Sequence, residues 1–150
     1  MTMESDVYTW IETKLSHDLD EFNGMPACPF AKQAMLDNKI KCVHLKNVFG
    51  NIVMPDYFLA ELENFTYHWP KDKEVIVLGC DPNDISAQSL SEVAERANST
   101  FLAKREYIVL EDHPADTETV AGYAVNQGDW ALLLLQSRKK IAGAREMLKK

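Results

Sequence analysis

The run Val75-Ile76-Val77-Leu78 constrains this chain most. Four apolar residues without a polar break, three of them β-branched, suit a strand buried on both faces. Such a strand needs neighbours on each side and a layer of structure packed on it. Similar runs recur at Tyr107-Ile108-Val109-Leu110 and at Trp130 to Leu135, and Ile40 with Cys42-Val43-His44-Leu45 reads as a strand that comes first in the chain. Between them lie helical patterns. Val7, Trp10, Ile11 and Leu15 place a helix over residues 6–16. A short helix starts at Pro29, where the missing N–H has no helical partner to lose. Phe58, Leu62, Phe65 and Trp69 share one helical face that Pro70 ends. Leu90, Val93, Ala94, Ala97, Phe101 and Leu102 mark the clearest helix, capped by Asp84 or Ser86. A last helix is expected over 137–149.

Strands alternating with helices predict parallel pairs joined by right-handed crossovers. The expected fold class is α/β, with α+β as the alternative. The sheet is mixed and four-stranded, and the fourth strand is expected antiparallel, at an edge. Helices pack on it in two or three layers. At 150 residues the chain is the size of one domain, so residues 1–150 form a single α/β domain. Residues 16–28 and 112–129 read as long connections.

The net charge of −7 argues against a nucleic-acid partner, which needs a basic surface to neutralise phosphates. The longest apolar run is too short to span a bilayer, so no membrane role is expected. No signal peptide is visible, and Cys28, Cys42 and Cys80 make an odd count. Together these favour reduced thiols and a cytoplasmic location.

Ligands of open α/β sheets bind at the carboxyl ends of the strands. There the sequence places Asn47 and Asn51, then Cys80, Asp81 and Asp84, then Asp112, His113 and Asp116. A histidine among carboxylates suits acid–base work or a divalent cation. Asp and Asn are equally ordinary turn and cap residues. Cys28 stands at the expected cap of the Pro29 helix, where free N–H groups and the helix dipole stabilise a thiolate. The alternative is a small buried hydrophobe. Cys42 reads as core, and His44 and His68 as surface residues. Arg138, Lys139 and Lys140 open the last helix and are available to an acidic partner.

Tyr8-Thr9-Trp10-Ile11-Glu12, then Cys28-Pro29-Phe30-Ala31, then Ile108 to Pro114 ending in His113-Pro114, then Leu132 to Leu135, resemble the DUF1415 family of uncharacterised bacterial proteins in order and rough spacing. Ala115, Asp116 and Thr117 stand where that family carries an aromatic residue, and Gln136 stands near its arginine. The resemblance implies one site holding Cys28 and His113, with Asn126 of the long connection. It carries no established activity. Cys28-Pro29-Phe30-Ala31-Lys32-Gln33-Ala34 also resembles the glutaredoxin active-site turn, with Ala31 in place of the second cysteine.

Three functions follow. One is a small-molecule enzyme or a ligand- or metal-binding protein, with Cys28 and His113 catalytic and Asp81, Asp112, Asp116 and Asn126 holding the ligand. Another is a non-catalytic domain that binds a protein partner. The third is a monothiol redox protein. No substrate, metal or cofactor is specified by these residues.

Overall fold

The computed structural model describes residues 2–12, 18–19, 25–26, 34–45, 55–115, 119–120, 123–124 and 128–137. Helix α1 spans Met3–Trp10. It starts three residues earlier than periodicity alone predicts, because the Thr2 hydroxyl accepts from the Ser5 N–H at 3.1 Å and caps it. Glu4 and Asp6 fall in its first turn and oppose the positive end of the helix dipole. Two two-residue strands, β1 (Asp18–Leu19) and β2 (Met25–Pro26), pair antiparallel within the stretch expected to be loop. Strand β3 is Ile40–His44. Helix α2 is Pro55–Tyr67 and stops short of Pro70, as expected. Strand β4 is Val75–Cys80, buried throughout.

Helix α3 is Ala87–Ser99 and is capped by Ser86 rather than Asp84, with the Ser89 N–H 3.1 Å from its hydroxyl. The apolar face continues into Leu102, yet the helix breaks at Thr100 (φ −119°, ψ −106°). The Thr100 hydroxyl bonds the Arg96 carbonyl at 2.6 Å, and a side chain that back-bonds in this way bends a helix. A short α4, Phe101–Lys104, follows. Strand β5 is Tyr107–Asp112. A second small hairpin, β6 (Thr119–Val120) and β7 (Tyr123–Ala124), interrupts the long connection. Strand β8 is Ala131–Ser137. The start of the helix expected at Pro29 lies outside the described residues, which are helical at 34–36, and the helix expected over 137–149 lies outside them too, apart from Ser137, which ends β8.

The central sheet has the order β3-β4-β8-β5. β3 and β4 are parallel, and β8 is antiparallel to both β4 and β5. The fourth strand is therefore antiparallel as expected but lies inside the sheet, not at its edge. Its composition explains the position. Ala131, Leu132, Leu133 and Leu135 are all buried, with side chains on both faces, and an edge would leave part of that run in water.

Both faces of the sheet are covered. Ile76, Leu78, Leu133, Leu135 and Val109 meet Phe58 and Leu62 of α2 and Leu90, Val93 and Ala97 of α3. Ile40, Val75, Val77 and Leu132 meet Met3, Val7, Trp10 and Ile11 along α1. The result is three layers, with β4 at the centre. Asn98 ties α3 to β5. Its amide donates to the Val109 carbonyl and accepts from the Val109 N–H, both at 2.9 Å. No helix among the described residues is long and apolar enough to cross a membrane.

Gly79 sets how closely α1 approaches. A Cβ there would collide with the Met3 sulfur and stand 2.8 Å from a methyl of buried Leu132. Overpacking of this kind costs ~1–3 kcal/mol. Gly79→Ala is expected to lower the unfolding free energy by that amount, read as a lower urea midpoint, and Met3→Ala in the same chain to restore part of it. An unchanged midpoint would mean that α1 has slack above the sheet.

Candidate functional site

The carboxyl ends of β3, β4 and β5 and the start of β8 lie at one end of the sheet. His44, Cys80, Asp112, His113 and Trp130 therefore gather there. The turn after β4 is built by Asp81. Its carboxylate accepts from the Asn83 N–H at 2.8 Å and its carbonyl from the Asp84 N–H at 2.9 Å.

His113 anchors the same loop. It is 6% exposed, and its Nε2 faces the Ile85 carbonyl at 2.8 Å and the Pro82 carbonyl at 3.3 Å. Its Nδ1 accepts from the Ala115 N–H at 3.0 Å. An acceptor at Nδ1 and two carbonyls at Nε2 fit one tautomer, the neutral ring protonated on Nε2. Both nitrogens are thus committed to backbone groups. Asp112 is buried as well, but it sits opposite Leu132, on the face that α1 covers. Adjacent strand residues leave on opposite faces, so Asp112 and His113 are held apart as a pair. The structure brings Asp81 and His113 to one loop and turns Asp112 to the other face. Cys28, Asp116 and Asn126 lie outside the described residues. Among the described residues no group of three His, Cys, Asp or Glu side chains is placed to hold a metal ion.

A different set of residues encloses space. A cleft of about 730 Å³ opens between the start of α1 and the sheet, lined among the described residues by Thr2, Met3, Glu4, Ser5, Tyr8, Cys42, His44 and Trp130. Cys42 and His44 are two apart on β3 and so share its α1 face. The His44 and Trp130 rings meet edge to face, 4.9 Å between centroids at 82°. The Trp130 indole N–H donates to the Asp6 carboxylate at 2.9 Å, which fixes the ring against α1. The Tyr8 hydroxyl donates to the Ile40 carbonyl at 3.3 Å.

Burial first, and the Glu4 charge second, push the Cys42 thiol up to about 12 from its ordinary 9.0. Burial, then Cys42 and Glu4, raise the Tyr8 hydroxyl. Cys80 also rises to about 12, through burial and then the charges of Asp84 and Asp81. A thiol raised so far is protonated at neutral pH and is a poor nucleophile. In the folded protein Cys42 and Cys80 are therefore expected to alkylate slowly up to pH ~10, and quickly once urea unfolds the chain. Mass spectrometry of the labelled peptides checks this, and it assigns any fast native thiol to Cys28.

Cys42 packs partly buried against the core and His44 is exposed, as the sequence predicts; what the sequence does not show is that they line one cleft with Trp130. The alternation Cys42-Val43-His44 was the available signal. The partner wall was not legible, because it depends on α1 docking across more than thirty intervening residues. Comparison of the chain with family models, with curated proteins and with solved structures finds no match.

Proposed function

We propose that the protein binds a small molecule in the cleft between α1, the carboxyl end of β3 and Trp130 at the start of β8. One observation supports this most. The cleft is a concave space walled by Tyr8, His44 and Trp130, at the end of the sheet where α/β proteins hold ligands. Aromatic walls supply contact area, and the rim hydroxyls of Thr2 and Ser5 supply polar partners. In this reading Asp81 and His113 hold the neighbouring loop in place. A catalytic role for Cys28 and His113 rests on the resemblance to the DUF1415 family. The cytoplasmic location expected from the thiols belongs to the same proposal.

The test is a fragment screen followed by the three indole N–H resonances of the protein. Trp130→Phe identifies the cleft signal. Saturable shifts of the Trp130 resonance, lost in Tyr8→Ala or His44→Ala variants that remain folded, are the expected result. Shifts confined to other parts of the protein, or none with any fragment up to high millimolar concentration, overturn the proposal and turn attention to a protein partner.

A further inference from the structure

We infer that the cleft beside α1 selects a small organic cation, an ammonium or a planar cationic group on a compact apolar frame. The inference rests on the cleft being a ligand site and adds the sign of the ligand. Glu4 is the one carboxylate among the described lining residues, and no lysine or arginine is among them. Asp6 stands behind the Trp130 indole and holds its N–H. A carboxylate accepting from an indole N–H draws electron density toward the ring, and the ring face then attracts a cation more strongly.

The helix dipole does not reverse this sign. The start of α1 carries roughly half a positive charge. Glu4 and Asp6 together carry two negative ones in the same turn, and the Thr2 hydroxyl already caps a free N–H. Among the described residues the side-chain charges at the mouth are therefore negative. Cys42 and Tyr8 hold their protons more tightly chiefly through burial, and the Glu4 charge adds to the shift of each. An anion would meet these charges with no described counter-charge. A cation would meet a carboxylate and aromatic side chains together, the pairing by which proteins recognise ammonium groups. The volume, about 730 Å³, lies within the range of roughly 300–1,000 Å³ typical of small-molecule sites.

Three probes of one shape test the sign. They are choline, the neutral alcohol in which a tert-butyl group replaces its trimethylammonium, and the tert-butylacetate anion. Binding is read from the Trp130 indole resonance in mildly alkaline buffer, where imidazoles are neutral. Choline is expected to bind about tenfold or more tighter than the alcohol, with the anion weakest. Glu4→Gln, at an exposed position, is expected to shrink the preference to a few-fold. Equal binding of choline and the alcohol, tighter binding of the anion, or a preference unchanged in Glu4→Gln overturns the inference and leaves the cleft as a ligand site. Failure of every probe, together with failure of the fragment screen, overturns the cleft itself.

Discussion

Replacing His113 with alanine is expected to lower the unfolding free energy by about 3 kcal/mol, because each buried backbone group left without a partner costs ~1–3 kcal/mol. The ring holds three backbone groups: the buried carbonyl of Ile85, and the part-buried carbonyl of Pro82 and N–H of Ala115. It also joins the end of β5 to the loop that leads into α3, so its loss frees two elements at once. Urea unfolding monitored by circular dichroism measures the change. His113→Gln separates anchoring from chemistry. A glutamine amide nitrogen can stand near the Nε2 position and donate to the same carbonyls, but it cannot exchange a proton at neutral pH. Stability recovered in His113→Gln, with ligand binding intact, is the expected outcome and assigns the ring to holding the loop. A loss below about 1 kcal/mol in His113→Ala, with function abolished in both variants, would assign it to catalysis instead.

Phe58→Ala is expected to be costlier still, about 3–5 kcal/mol, the range for truncating a buried aromatic ring. Phe58 is wholly buried on α2 and belongs to the cluster that joins α2 and α3 to the sheet. The vacated space cannot close easily, since its neighbours belong to regular elements. Phe58→Leu keeps most of the volume and is expected to cost less than half as much. A thermal unfolding curve for each variant decides the matter, and a loss under 1 kcal/mol for Phe58→Ala would place α2 at the margin of the core. The cleft lies on the opposite face of the sheet. Phe58→Ala should therefore leave ligand affinity unchanged in the folded fraction, whereas Gly79→Ala, directly beneath α1, should alter it.

The fold was legible where the chain states its burial locally. Val75 to Leu78 and Leu132 to Leu135 announce interior strands by lacking any polar break, and the Leu90 to Ala97 face announces a helix. The run in β8 also held the evidence for its interior place, which strand order alone obscured. Helix boundaries were less legible, because they turn on single hydroxyls: Thr2 extends α1 toward the start of the chain, and Thr100 ends α3 early. The site was the least legible part. Asp81 has the composition of a ligand-binding residue and serves as a turn. His113 looks like an acid–base group and is enclosed by backbone. Residues marked as ordinary, Cys42, His44 and Trp130, form the cleft, because a concave space is made by three distant segments meeting and leaves no mark on any one of them.

The contact between Asn98 and Val109 bears on how copies of this protein meet. β5 ends the sheet order on its side, and the Asn98 amide offers Val109 the same donor and acceptor that an incoming strand would bring. A β-ribbon from another molecule must displace that amide before it can add there. Asn98 thus occupies the outward groups of Val109 and disfavours addition of a strand at that point of β5. Conversion of Asn98 to aspartate would keep the acceptor but lose the donor. The Val109 carbonyl would then be free to recruit a neighbour, and slow self-association would follow from a change of one nitrogen to oxygen.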